Sequence, residues 1–402
     1  MPRMGWTIVG VVAVAAGCRG KVEVPYPNYV PNEPAASISS ENAFADYVAA
    51  ADMVEAATAD FKNYVAFDKK ARNKALLLSE NGYRKLVGSR RKPFEFVFVG
   101  REPTVLPPHH VGWRMLGRNF VWRIETALSE NRTSAAVEIA LAGIQFGMNL
   151  CGGSVVDATL GLEIVDECRR AIAPNLENFP VNDLKTLGQG IRQILKARPK
   201  FESILAHERL NMLYAVQNVQ DAVRDNKIGP LVARLGGNSR DTAKALQSLR
   251  EDDTKRRDFF QGFSGEIDQE ISAVTHDSQQ PYAKIGEPDK ERDRPWSTLS
   301  LAFFKGGRRL LPMWTASLAR TRLLGLHAGL WSTVKSTGAA PATIKEGDEL
   351  SIDPYTGLSF VYKADRAAFR AYSTGEDGKD DGGQSDGSGK TPDLVLETIN
   401  RR

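Results

Sequence analysis

The chain has 402 residues, of which 42% are hydrophobic and 25% charged, with a formal net charge of +4. That composition is ordinary for a folded chain and supplies more than enough apolar surface for a core, which excludes an intrinsically disordered or collagen-like protein. A charge of +4 over this length is too dilute for nucleic-acid binding, and the short basic clusters Arg90-Arg91-Lys92 and Lys255-Arg256-Arg257 read as solvated helix ends or loops.

The first eighteen residues carry Arg3, then an uncharged run from Trp6 to Gly17, then Cys18. A positive start, a short apolar stretch and small residues before a cleavage point are the parts of an export signal. The run is shorter than the roughly 20 residues that a bilayer-spanning helix requires. Ala15-Ala16-Gly17-Cys18 resembles the lipobox of bacterial lipoproteins, although that family favours Leu where Ala15 stands. The resemblance implies that residues 1–17 are removed and that Cys18 becomes an acylated N-terminus, which makes the lipid the expected partner of the membrane. Arg19, rather than an acidic residue, follows Cys18, and by the same resemblance an outer-membrane destination is expected in a two-membrane cell. An ordinary cleaved signal, or an uncleaved anchor, with an unmodified Cys18 is the competing reading.

Residues 18–40 hold Pro25, Pro27, Pro31 and Pro34 among small and polar residues, the composition of an extended tether. From residue 41 to 311 helical spacing dominates. Phe44, Tyr47, Val48, Ala51 and Val54 predict a helix ending near Asp60, and a second is expected over Lys70 to Ser79. The run from Phe94 to Val99 reads as a short strand or a buried extended segment. A helix over Gly112 to Ser129 follows Pro107-Pro108.

Ser134 to Leu150 is rich in Ala and Gly, Gly152-Gly153 marks a turn, and Ser154 to Ile172 forms the return. Small residues on facing helices predict a tight antiparallel hairpin. Further helices are expected from Asn182, from Phe201 to Arg224, and through residues 228 to 276, with a polar loop from Asp277 to Pro295. Cys151 and Cys168 fall too far apart along this hairpin to bridge and are expected to be buried thiols. The expected fold class is mainly α, a helical-hairpin array of α-solenoid type, closed by a small α+β C-terminal module over residues 312–402. The part from Ser134 to Arg224 resembles, loosely, uncharacterised helical envelope proteins, a likeness that implies no activity.

That module opens with a strong helix from Pro312 to Lys335 and continues with Asp353-Pro354-Tyr355-Thr356-Gly357, two short strand-like runs at Leu358 to Tyr362 and Phe369 to Tyr372, and Tyr372-Ser373-Thr374-Gly375-Glu376-Asp377-Gly378. The order resembles the C-terminal half of type II secretion major pseudopilins over about 70 residues. The resemblance implies a calcium-binding loop with Asp377, Asp380 and Asp381 as side-chain ligands and Asp393 as a further one. The leader lacks the pseudopilin processing site and long N-terminal helix, so only the tail fold would be shared. Six acidic residues between Glu376 and Asp393 against two lysines would repel one another unless neutralised, and calcium takes six to eight oxygens. A disordered acidic tail is the competing reading; Leu394-Val395-Leu396 speaks against it, since those residues gain a packing site only if the module folds.

Catalytic motifs fail on spacing. His207-Glu208 begins like a zincin helix, but Asn211 stands where the second histidine belongs, and His207 reads as a helix-surface or interhelix hydrogen-bonding residue. His109 and His110 are adjacent, and neighbouring side chains point apart. The expected function is therefore a membrane-anchored envelope lipoprotein that binds or scaffolds another envelope protein. One alternative is an envelope hydrolase of peptide or glycan using carboxylates such as Glu138, Glu163 or Glu208. Another is an accessory subunit of a secretion or pilus-like machine.

Overall fold

The computed structural model describes residues 39–59, 69–97, 109–235, 239–285, 297–383 and 393–396. Over these the chain is mainly α, with twelve α-helices, many packed against one another, and one two-stranded antiparallel sheet near the C-terminus. Cys18 and the leader lie outside the described residues.

The helix α1 (Ala43–Thr58) starts at Asn42, whose Oδ1 accepts from the Phe44 N–H at 3.0 Å. The same oxygen accepts from the N–H of Glu95, and the Asn42 amide donates to the Glu95 carbonyl at 2.7 Å. One capping side chain thus ties the extended segment 93–97 to the helix start. That segment is extended and not paired as a strand; Phe96 is buried and Phe94 half-buried, both against the ring of Phe44.

Next come α2 (Lys69–Leu78) and α3 (Glu80–Gly88). Sequence spacing predicts only the first of these. Then α4 (His110–Ser129), α5 (Thr133–Leu150) and α6 (Val155–Ile172) lie together. The α5/α6 hairpin is tight for the expected reason. A Cβ on Gly161 would lie 2.4 Å from the Gly147 carbonyl oxygen, and one on Gly147 would lie 2.5 Å from that of Gly161. Cys151 and Cys168 on this hairpin are free and buried.

Gly161→Ala is therefore expected to cost about 2 kcal/mol, because overpacking costs of about 1 to 3 kcal/mol outweigh the helix propensity gained. Gly265 has open space around it, so Gly265→Ala should gain up to about 1 kcal/mol. Urea denaturation midpoints of the two variants moving together would refute the packing account.

Beyond the hairpin, α7 (Val181–Ala197) packs on α5, and α8 (Phe201–Arg224) leads through α9 (Ile228–Leu235) and α10 (Ser239–Glu251) to α11 (Asp253–Ser278). A last helix, α12 (Ser297–Thr337), begins fifteen residues before Pro312, which lies inside it. The sequence boundary at 312 thus falls within one continuous helix, which returns to lie along α6 and α7.

One apolar core runs through α1, α3 to α7 and α12 and includes Ile344, Leu350, Tyr355, Phe360 and Leu396 of the tail. Each large side chain buried in it contributes about 1.5 to 3 kcal/mol. A second core, with Val216, Phe260, Phe263 and Ile267, joins α8 to α11. A third, with Phe201, Leu205, Val274 and Trp314, connects the two.

The sheet pairs β1 (Val361–Asp365) with β2 (Ala368–Tyr372), Val361 opposite Tyr372. Buried guanidinium groups dock this module on the helices. Arg169 donates to the Leu396 carbonyl at 2.7 Å and Arg322 to that of Ile352 at 2.9 Å; burial pulls the Arg322 pKa down to about 10. Arg192 makes two bonds to Asp348, and Arg198 reaches Glu349 at 2.6 Å. Among the described residues no helix is long and apolar enough to cross a membrane.

Candidate functional sites in the tail, the helix junction and the groove

The tail is organised by Asp353. Its Oδ1 accepts from the Tyr355 N–H at 2.9 Å, closing the Asp-Pro turn, and its Oδ2 accepts from Ser373 Oγ at 2.7 Å. Burial raises the pKa of Asp353. Ser373, one residue past β2, pairs its backbone with Leu394 at 3.0 and 2.9 Å. The residues from Leu394 to Leu396 thus pack against the module, as their apolar character implies, and Leu396 is buried.

Between these strands the acidic loop bends through Gly375, Gly378, Gly382 and Gly383, all at positive φ, where glycine alone adds no steric penalty. Asp377 is exposed and accepts from the Lys379 N–H in its own turn. Asp380 accepts from Tyr372 Oη at 2.6 Å and from the Gly382 N–H at 2.9 Å, with Lys363 Nζ at 3.2 Å from its other oxygen. Chiefly through the Tyr372 bond, the Asp380 pKa is lowered. Asp381 is exposed.

Asp393 is the buried acid of the group, at 4% exposure. Its Oδ2 accepts from the Gly383 N–H at 2.7 Å, whereas Oδ1 is buried with no hydrogen-bond partner among the described residues. Burial first, and then the neighbouring charges of Asp380 and Asp381, raise its pKa. Asp380, Asp381 and Asp393 are therefore brought within electrostatic reach of one another, and Asp377 is engaged in its own turn. Among the described residues no cluster of three His, Cys, Asp or Glu side chains forms a ready metal site. The acidic oxygens gathered in this loop are those of Asp393 and, within electrostatic reach of it, those of Asp380 and Asp381.

A second polar cluster lies where α4, α6 and α8 meet. Asp157 is fully buried; its Oδ1 is 2.7 Å from His110 Nε2, and its Oδ2 accepts from Ser154 N–H at 2.9 Å and Ser154 Oγ at 2.7 Å. This is a capping box at the start of α6. The order is serine, carboxylate, histidine, so the serine proton faces the carboxylate, and the imidazole has no access to it as a general base. Glu208 accepts from the Val155 N–H at 3.1 Å, and burial raises its pKa. His207 Nδ1 lies 2.8 Å from the carbonyl oxygen of Gly152 in the α5/α6 turn.

His109 and His110 turn to different partners, His109 to Asp52 at 2.6 Å and His110 to Asp157. Glu138 is exposed and lies 3.7 Å from Arg90, Glu163 is exposed on α6, and Glu208 caps α6. Each of these three carboxylates has its own surroundings.

A third feature carries no sequence motif. A groove of about 820 Å³ opens between the exit of α3, α5 and α7, lined by Arg90, Arg91, Glu138, Gln145, Gln189 and Gln193 among others. The signal that could have found it is the four-residue repeat of amides on two helices, Gln145 and Asn149 on one, Gln189 and Gln193 on the other. Comparison with family models, curated proteins and solved structures finds no match for this chain.

Proposed function

We propose that the chain is a lipid-anchored binding module of the cell envelope, with Cys18 the acylated residue, another envelope protein the partner, and a calcium ion closing the acidic loop. The observation that carries the binding reading is the groove across α3, α5 and α7, an open polar concavity of about 820 Å³ on well-packed helices. Sites on rigid elements hold their side chains for recognition without the ordering cost of a loop. The buried polar groups at the helix junction, by contrast, are committed to capping and interhelix bonds. The calcium reading is supported by the buried Asp393 Oδ1, which has no hydrogen-bond partner among the described residues, beside two further carboxylates, and weak sites of that kind suit the millimolar calcium outside the cytoplasm.

Ser40, near the start of the described residues, sits beside the groove. Lys92, one residue after Arg91, donates to the Ser40 carbonyl at 3.1 Å. Residues 19–38 in extended form would span roughly 60 Å at 3.1 Å per residue, enough to hold the body clear of a lipid surface.

The anchor is tested by expressing the intact gene in a bacterial host and partitioning cells in detergent. The processed, acylated product is expected in the detergent phase, and Cys18→Ser is expected in the aqueous phase. An aqueous product from the unaltered gene would refute the anchor.

A further inference from the structure

Leu141, Gln145 and Asn149 recur every fourth residue along α5 on the groove wall, a step of about 6 Å at 1.5 Å per residue. Across the groove Gln189 and Gln193 repeat that step on α7. Four carboxamides therefore stand in two rows with one common spacing. An extended peptide presents its N–H and C=O groups on one edge every second residue, about 6.6 Å apart, and a carboxamide offers both donors and an acceptor. The two repeats match closely enough for each row to meet successive dipeptides of one strand.

The rows differ in how they are held. Gln145 is fixed, its amide donating to the Arg90 carbonyl and its oxygen accepting from Arg90 Nε, both at 3.2 Å. Asn149 donates to Tyr47 Oη at 2.8 Å, which orients its oxygen. Gln189 and Gln193 are exposed and make no hydrogen bond among the described residues. One wall is preset and the other can adapt. The charge is asymmetric as well: Arg91 is exposed without an ion pair among the described residues, and Arg90 is 3.7 Å from Glu138, the one acid lining the groove. Guanidinium groups favour a carboxylate. No aromatic side chain lines the groove, so a sugar ring would find no face to stack upon.

We propose that this groove binds an extended peptide segment carrying a carboxylate, its backbone held by Gln145, Asn149, Gln189 and Gln193 and its acid by Arg90 and Arg91. This rests on the binding-module reading and names the ligand class for that site.

The test uses the full-length protein and fluorescence anisotropy with fluorescein-labelled hexapeptides of scanned sequence, each made with a central Asp and again with Asn. The expected result is binding of some Asp peptides with Kd below about 0.1 mM and at least severalfold weaker binding of their Asn versions. Gln189→Ala with Gln193→Ala, and separately Arg91→Glu, should each weaken binding about tenfold, a change of about 1.4 kcal/mol. These side chains are exposed, so thermal melting should be unchanged. Arg209→Gln, whose arginine pairs with Asp268 on α11, should bind as the parent does.

Absence of any hexapeptide binding, equal binding of Asp and Asn versions, or indifference to the groove substitutions would overturn the proposal. Binding of chitotetraose that is lost in the same variants would overturn the peptide assignment while leaving a binding module in place. A failed Cys18 experiment would remove the anchor and leave the peptide result standing.

Discussion

Asp157→Ala is expected to lower the free energy of unfolding by about 3 kcal/mol, the loss that follows when a fully buried hydrogen-bonding carboxylate is removed and its donors are left unsatisfied. Three bonds end on this carboxylate, from His110, the Ser154 backbone and the Ser154 hydroxyl, and the residue is fully buried. Alanine would take the acceptor away from each of those donors, at about 1 to 3 kcal/mol per buried donor left unsatisfied. It would also remove the reciprocal half of the capping box, leaving Ser154 as the N-cap of α6. The site sits where α4, α6 and α8 converge, so the damage reaches three helices of two cores. Urea denaturation followed by circular dichroism measures it, with His110→Ala and the double variant completing a cycle. The double variant should lose less than the sum of the singles, since the two residues share one contact. A loss under about 1 kcal/mol in Asp157→Ala would show that water reaches the cluster and replaces these bonds.

The same cluster marks the limit of what the sequence discloses. Ser154 and Asp157 have the spacing of a capping box, which is a local signal. His110 lies 47 residues away from Asp157, and nothing in the spacing of either residue announces the other. Helices whose faces are periodic and whose ends carry breakers were legible: α8 begins after Pro199 at Phe201 and ends at Arg224, as its apolar positions predict. The α5/α6 hairpin was legible because its glycines have a steric meaning in any close helix pair.

Where one residue has two meanings, sequence reading chose the commoner one. Pro312 looks like a first-turn proline, yet α12 runs through it, and the fifteen residues before it belong to the same helix. Gly82 dilutes the helical signal of α3, and it is there because a Cβ would lie 2.7 Å from the Ala50 carbonyl oxygen. In the tail, composition exposes the acidic loop but does not rank its members. Resemblance places Asp377 before Asp393, whereas burial and the unpartnered oxygen single out Asp393, because Leu394 pairs with Ser373 and carries its neighbour inward. The groove's amides repeat on two separate helices, and only the packing of α5 against α7 makes them one site.

Adding 10 mM Ca²⁺ is expected to raise the unfolding free energy by about 1.4 to 2.7 kcal/mol, the linkage gain for Kd values of about 1 to 0.1 mM, the range of weak extracellular sites. Asp393 decides the outcome in both directions. Its folded pKa is raised above the ordinary value of 3.8, so the calcium-free native state binds that proton more tightly than the unfolded chain. Stability contributed this way is present below about pH 4 and is lost as pH rises through the folded pKa. At neutral pH the carboxylate is thus a cost, from its own burial and the charges of Asp380 and Asp381, and a divalent cation cancels it. Asp393→Asn should therefore stabilise the calcium-free protein at pH 7 and abolish the calcium gain, a pairing that simple loss of structure cannot produce. Asp380→Asn should lower stability in both conditions, because its charged form is already held by Tyr372, the Gly382 N–H and Lys363. Mg²⁺ at the same concentration should give a smaller gain, since it demands near-octahedral geometry and dehydrates reluctantly. Scanning calorimetry from pH 4 to pH 8 reads all of these, and the calcium gain should shrink toward the acid end as Asp393 takes up its proton. An unchanged melting curve for the parent protein in calcium at pH 7 would sink the assignment, and a gain that survives Asp393→Asn would move the site elsewhere in the loop.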